Sequence, residues 1–305
     1  DVEVGIPLSL LNRHGLIAGA TGTGKTKTLQ LLAEALSDAG VPVFAADMKG
    51  DVAGLAAPGE LSAPVAERRD GLARAWEATA FPIEPLVLDE SDRGVPVRAS
   101  VAGFGPVLLS KVLDLNETQE PSLALVFRFC EENDLEPVDL EDLRAALAWL
   151  VGPGKEELGN IGGVSTATVG VIQRKVSQLE GEGGDVFFGE PAFAIADLMR
   201  HTPDGRGVIS LLDLDGVAQQ PALFSTFLMW LLGELFEELP EVGDPEKPEL
   251  VFFFDEAHLL FKDASDAFLD AVAQTVRLIR SKGVGVFFVT QLPTDLSDEV
   301  LSQLG

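Results

Sequence analysis

The stretch from Gly19 to Thr26 constrains the fold of this chain more than any other, because it satisfies the pattern G-x-x-x-x-G-K-[ST] in full. A short apolar segment, residues 15–18, leads into it, and an amphipathic segment that stops at Gly40 follows it. This strand–loop–helix context predicts a P-loop, in which backbone N–H groups and a helix N-terminus surround phosphate oxygens. The alternative is an ordinary glycine-rich turn, and the complete motif with both flanks argues against it.

The motif predicts ATP and Mg²⁺ as cofactors. We expect Lys25 to reach the β- and γ-phosphates and the Thr26 hydroxyl to bind Mg²⁺. The predicted nucleotide-binding residues of the loop are Gly19, Ala20, Thr21, Gly22, Thr23, Gly24, Lys25 and Thr26.

Composition and charge limit the functional classes. The 305 residues are 46% hydrophobic, no signal peptide is visible, and the most apolar run, residues 222–236, is too short to span a bilayer. The single cysteine, Cys130, excludes an intramolecular disulfide framework. We therefore expect a soluble, cytoplasmic protein. Because the sequence lacks an initiator Met and stops at Gly305 in an apparent loop, we also expect it to be trimmed at both ends.

The net charge of −27, from 49 acidic and 22 basic residues, argues against simple duplex binding, since nucleic-acid-binding domains usually carry a basic surface. It does not exclude DNA, because a ring can confine its basic residues to a central channel. An acidic excess is also typical of adaptation to salt or of high solubility.

The order of elements predicts an α/β fold with a mostly parallel sheet covered on both faces. Segments 41–45, 86–88, 207–212, 250–254 and 284–289 have the composition of buried strands, and helical patterns separate the later ones. From about residue 103 to 200 the pattern is helical only, with Asp139 and Ser165 as candidate N-caps. We expect a core in two parts, residues 1–100 and 205–305, and an all-helical insertion at 101–204.

Asp255 and Glu256 follow the apolar segment 250–254 and have the form of a Walker B strand with two carboxylates. Asp255 is the expected Mg²⁺ partner through its water shell, and Glu256 the expected general base that orients and deprotonates the attacking water. Residues 86–90 repeat the outline with Asp89 and Glu90, but that copy is shorter and runs into a turn. The later copy is favoured, and a solvated strand end explains the earlier one.

Two further candidates lie near the C-terminus. Gln291 follows the last predicted strand, one strand from the predicted Walker B pair, where it could sense the γ-phosphate. Arg280 belongs to a basic helix end, residues 277–282, which the helix dipole alone would explain. The same helix end could instead reach a neighbouring subunit's site.

The chain resembles the HerA-like ATPases of the HerA/FtsK superfamily, most closely the bacterial YjgR-type branch. The resemblance covers nearly the whole chain and is carried by residues 12–16, 47–51, 253–258 and 279–285 and by Thr290 with Gln291, together with the P-loop and the helical insertion. It implies a RecA-like P-loop core and a homo-oligomer, commonly a hexameric ring, and several members of the superfamily move DNA or protein through the central pore.

The resemblance also implies roles for individual residues. Lys25, Glu256 and Gln291 are expected to act in catalysis, and Arg280 matches a trans-acting arginine finger. Arg13 matches an arginine upstream of the P-loop that approaches the nucleotide. Two functions follow: a Mg²⁺-dependent ATPase motor acting on DNA or another polymer, or a nucleotide-dependent switch that moves no polymer.

Overall fold

Seven parallel strands form the centre of the protein. The computed structural model describes residues 5–72, 76–156, 163–215, 221–243, 245–261 and 266–304. Within these ranges every strand pairing is parallel, and the order is β1-β7-β6-β2-β5-β3-β4. The strands are β1 Gly15–Ala18, β2 Val43–Asp47, β3 Ile83–Val87, β4 Val95–Pro96, β5 Ile209–Asp213, β6 Leu250–Phe254 and β7 Val284–Thr290. The predicted α/β class with a parallel sheet is confirmed.

Helices cover both faces of this sheet. They are α1 Lys25–Asp38, α2 Ala63–Leu72, α3 Val101–Val112, α4 Gln119–Glu132, α5 Leu140–Val151, α6 Thr166–Leu179, α7 Asp185–Phe187, α8 Pro221–Glu238, α9 His258–Phe261, α10 Asp266–Ile279 and α11 Asp298–Leu301. Short 3₁₀-helices occupy Leu8–Arg13, Val52–Ala56, Ile195–Met199, Arg280–Lys282 and Pro293–Asp295, and a π-turn occupies Glu180–Gly184. No helix in the described ranges is long and apolar enough to cross a membrane.

Strand β6 shows why a continuous apolar run forms the middle of the sheet. All five of its residues are buried, which is typical of a parallel strand with helices on both faces. Successive side chains point to opposite faces. Phe252 and Phe254 belong to one hydrophobic cluster, and Val251 and Phe253 belong to the other. The first cluster faces α3–α6, α8 and α10, and the second faces α1.

The predicted helical segment consists of α3 to α7 and has two predicted N-caps. Asp139 accepts a hydrogen bond from the Asp142 backbone at 2.8 Å, and Ser165 accepts one from the Thr168 backbone at 3.0 Å, so both caps are confirmed. The helices share one continuous hydrophobic cluster with the sheet. The division into two core parts and an insertion at residues 101–204 therefore stays a proposal about organisation.

The strand boundaries differ from the sequence-based ones by a few residues. Predicted segments 41–45 and 207–212 begin too early, since β2 starts at Val43 and β5 at Ile209. The backbone N–H of Val41 bonds to the carbonyl of Leu36, and that of Gly207 bonds to the carbonyl of Ser37. These residues therefore close the end of α1 before the strands begin. The predicted strand 86–88 is instead Ile83–Val87.

Candidate functional site

The loop Gly19–Thr26 connects the end of β1 to the start of α1, as predicted. Gly22 and Gly24 have φ angles of 82° and 99°, a region that side chains other than glycine rarely adopt. The Thr23 hydroxyl donates a 2.8 Å hydrogen bond to the Ala20 carbonyl and closes the turn. The loop is largely exposed and presents its backbone together with the N-terminus of α1, an arrangement that favours anions.

The side chain of Lys25 folds back onto the P-loop. Its ammonium donates hydrogen bonds to the carbonyls of Gly19 and Ala20 at 2.8 and 3.3 Å. Because these partners are backbone atoms of the phosphate-binding loop, the positive charge of Lys25 lies beside the expected position of the phosphates. Thr26, the next residue of α1, is half-buried.

Asp255 and Glu256 lie at the carboxyl end of β6 and are each only 5% exposed. The Asp255 carboxylate accepts a hydrogen bond from the backbone N–H of Glu256 at 2.9 Å. Burial raises the pKa of Asp255, and the nearby negative charges of Glu256 and Asp47 raise it further. A buried carboxylate beside other carboxylates is a site that a cation would stabilise.

Glu256 is held by an unexpected partner, the ammonium of Lys49, which forms an ion pair with its Oε1. Burial by itself would raise the pKa of Glu256, but the hydrogen bond and charge of Lys49 outweigh it, so the pKa lies below its ordinary value. The other carboxylate oxygen lies 3.3 Å from Nδ1 of His258. The backbone of Glu256 has a φ of 48°, unusual for a residue other than glycine. In the sequence Lys49 lies within residues 47–51, which carry part of the family resemblance, but neither the resemblance nor the turn assigned it a role.

Strand β7 lies between the P-loop strand and β6, and it pairs with both. The backbone N–H of Gly19 donates to the carbonyl of Thr290 at 3.2 Å, so the end of β7 touches the P-loop. The side chain of Gln291 follows immediately and is exposed. Its position between the two halves of the candidate site agrees with the expected neighbourhood.

The earlier acidic pair lies far from the P-loop. Its strand, β3, is five positions from β1 in the sheet order, whereas β6 is two positions away. Arg93 contacts Asp89 at 3.0 Å and Asp213 at 2.7 Å, so Asp89 takes part in a local ion-pair network.

Arg13 and Arg280 lie at the opposite end of the sheet from the P-loop. Arg13 ends the 3₁₀ turn before β1, and Arg280 begins the turn before β7; both are exposed. Strands β1 and β7 run parallel, and the P-loop follows the carboxyl end of β1. The structure therefore does not bring either guanidinium to the P-loop of its own chain.

The residues at the carboxyl edge fit a nucleotide with Mg²⁺. A Cβ built on Gly22 or Gly24 meets no atom within 4 Å, so the loop faces open space at these two positions. Mg²⁺ bound with a nucleotide needs only one or two protein ligands beside phosphate oxygens and water. The Thr26 hydroxyl and the Asp255 carboxylate are two hard oxygen donors at this edge of the sheet. A dedicated cluster of three or more metal-ligating side chains is absent from the described residues.

Comparisons with solved structures agree with this fold. The plasmid coupling protein TrwB, solved with ADP and Mg²⁺, superposes with a TM-score of 0.59 at 18% identity, over 99% of this chain and 71% of that one. TrwB with the non-hydrolysable GTP analogue GDPNP matches at 17% identity with the same TM-score and coverage. VirB4 of Thermoanaerobacter pseudethanolicus matches with a TM-score of 0.55 at 14% identity, over 99% and 75% of the two chains. No curated protein matches.

The structural similarities show that the fold is that of the RecA-like P-loop NTPase domains of TrwB and VirB4. The family model described as "Helicase HerA-like C-terminal" matches residues 1–305, the whole chain. The chain therefore belongs to the HerA-like family of P-loop ATPases.

Proposed function

We propose that this protein is a Mg²⁺-dependent ATP hydrolase. The proposal rests on the position of the P-loop beside the strand end that bears Asp255 and Glu256. Only strand β7 lies between β1, which leads into the P-loop, and β6, which leads into the two carboxylates. TrwB, whose fold it shares, has been solved with ADP and Mg²⁺ and with the non-hydrolysable ATP analogue ADPNP.

In the proposed mechanism each residue has one task. Lys25 leaves the loop carbonyls and neutralises charge on the β- and γ-phosphates, while the loop N–H groups hold the phosphate oxygens. Thr26 and Asp255 would hold Mg²⁺, which would supply positive charge to offset that of the phosphates. Glu256 accepts a proton from the attacking water, and Gln291 orients that water.

Arg13 and Arg280 fit this scheme as residues that act on a neighbouring subunit. Both lie at the amino end of the sheet, away from the P-loop of the same chain. We therefore propose that the active unit is a homo-oligomer in which Arg280 acts as an arginine finger on the next subunit, with a hexameric ring as the arrangement that the family resemblance implies. Assignment to the YjgR-type branch and a cytoplasmic location remain predictions of the sequence.

ATP hydrolysis could drive one of two processes. The protein could move DNA, or it could act as a switch whose nucleotide state controls the binding of a partner. Five basic residues on helices α3–α6 could line a channel: Lys111, Arg128, Arg144, Arg174 and Lys175. Three of them have other contacts. Arg128 pairs with Glu132, Arg144 pairs with Glu180, and Lys175 donates to the carbonyl of Leu113. These contacts and the net charge of −27 argue against a channel lined by free basic residues. The nucleotide-dependent switch is therefore kept as the second candidate beside the motor.

The proposal is tested with two substitutions and a matched control. Lys25→Ala should abolish tight ATP binding in calorimetry, and Glu256→Gln should keep ATP bound while slowing hydrolysis at least ~100-fold. Glu90→Gln, in the other acidic pair, should hydrolyse ATP like the unmodified protein. Loss of turnover in Glu90→Gln with normal turnover in Glu256→Gln would show that the acidic strand is wrongly assigned.

A second measurement separates the two uses of hydrolysis. ATP turnover is compared with and without duplex DNA at several salt concentrations, since phosphate contacts weaken steeply with salt. Stimulation that disappears at high salt supports a DNA motor. Turnover that DNA leaves unchanged at low salt supports the switch.

A further inference from the structure

Lys49 and Glu256 form a side-chain pair that joins two separate parts of the chain. They are 207 residues apart in the sequence, yet the ammonium contacts Oε1 of the carboxylate directly. The Glu256 side chain is 6% exposed, whereas that of Lys49 is 53% exposed. A buried carboxylate needs a partner, because leaving it unpaired costs far more than the pair itself contributes.

The turn that carries Lys49 is built around a buried carboxylate. Asp47, 1% exposed, accepts hydrogen bonds from the backbone N–H groups of Lys49 at 3.1 Å, Gly50 at 2.9 Å and Val52 at 2.8 Å. These three bonds use both carboxylate oxygens. The turn is therefore held in one shape, and that shape directs the lysine side chain toward the end of β6.

The same turn is tied to the helix that follows the P-loop. The side-chain amide of Gln30, in α1, donates a 2.7 Å hydrogen bond to the carbonyl of Asp51. Gln30 also accepts a bond from Lys27 at 2.8 Å, which fixes its orientation. A chain of direct contacts thus runs from the P-loop helix through the Lys49 turn to the expected general base.

We propose that Lys49 is a positioning residue for hydrolysis: it holds the Glu256 carboxylate in place and ties that position to the P-loop helix through Gln30. This inference rests on the proposed function, since it assigns Lys49 an effect through the base of that reaction. Among the described residues the Lys49 ammonium is paired with Glu256 and not with the P-loop or Lys25, so nucleotide affinity should not depend on it.

The test is a double-mutant cycle on the full chain with the variants Lys49→Met, Glu256→Gln and both together. Lys49→Met should lower kcat by about 10-fold to 100-fold, the range that a small misplacement of a reacting group produces, and leave KM for ATP unchanged. In the Glu256→Gln background it should cause no further loss. Lys49→Arg, which keeps the positive charge, should recover part of the lost turnover. Lys155→Met, an exposed lysine after α5, is the matched control and should behave like the unmodified protein.

A readout without nucleotide completes the test. The free energies of unfolding of the four proteins in urea should be non-additive, because the pair exists in the nucleotide-free chain. Normal kcat in Lys49→Met, or equal losses in both backgrounds, overturns the inference, and a raised KM would mean that Lys49 acts on the nucleotide instead. Normal turnover in Glu256→Gln alone would refute the proposed base, so the two failures are distinguishable.

Discussion

We expect the folded protein to lose stability in mild acid because of one buried histidine, His14. It precedes β1, is 5% exposed, and its Nδ1 accepts a 3.1 Å hydrogen bond from the backbone N–H of Val286. That bond requires an unprotonated Nδ1. Burial lowers the pKa of His14 from 6.5 to about 4; the backbone of Val276 opposes this shift only in part, and the positive charge of Arg280 adds to it.

The sign and size of the effect follow from this shift. Because the folded-state pKa lies below the unfolded one, the unfolded chain binds the proton first as the pH falls. The contribution to stability is complete above pH 6.5 and is lost progressively down to about pH 4. At about 1.4 kcal/mol per pKa unit, the loss is about 2 kcal/mol at pH 5 and about 3 kcal/mol at pH 4.

The assay is urea unfolding of the unmodified protein and of His14→Asn between pH 8 and pH 5. Asparagine tolerates the φ of 61° found at this position and cannot titrate. The difference in unfolding free energy between the two proteins should shift by about 2 kcal/mol across this range, whatever its value at pH 8. Parallel pH profiles for His14→Asn and the unmodified protein would refute the reasoning.

Three further predictions test the subunit arrangement and the packing. Mixing Arg280→Ala with Glu256→Gln subunits should restore part of the ATP turnover, because a mixed interface can pair an intact base with an intact finger; no rescue, with monomeric light scattering in ATP, contradicts the trans role. Gly285→Ala should lower the melting temperature strongly or prevent folding, since its Cβ would lie 2.0 Å from the Leu11 carbonyl oxygen; unchanged melting contradicts this. Leu147→Ala, at a fully buried position of α5, should cost about 2–5 kcal/mol in urea unfolding, and a loss below about 1 kcal/mol would show that the site collapses around the smaller side chain.

The sequence predicts those features that depend on neighbouring residues. The P-loop, the buried run Leu250–Phe254 and the caps at Asp139 and Ser165 are local patterns, and the structure has each of them. Strand starts were less accurate, because Val41 and Gly207 are apolar or small, as strand residues often are, yet their backbone groups bond to the end of α1. The two-residue strand β4 and the 3₁₀ turn Leu8–Arg13 carry too few residues for a periodic signal.

Local sequence patterns do not predict the contacts that shape the candidate site. Lys49 meets Glu256 only because the sheet places β2 beside β6, a pairing that no local pattern encodes. The sheet order likewise separates the two acidic pairs, which look alike in sequence. Asp89 follows a strand five positions from the P-loop strand, and Asp255 follows one two positions away.

The sheet also explains why we infer that one chain cannot complete the proposed reaction. Arg280 precedes β7, and the P-loop contacts the far end of that strand at Thr290. Seven strand residues at about 3.3 Å each span about 23 Å, so the guanidinium starts a full strand length from the phosphate position. A charge that far away contributes little through solvent, whereas a finger at the γ-phosphate contributes about 10³–10⁵ in rate. Closing this distance within one subunit would require breaking the β1–β7 pairing that positions the P-loop. A neighbouring copy can supply Arg280 with both strands intact, and this geometry supports the proposal that the active unit is an assembly of identical subunits.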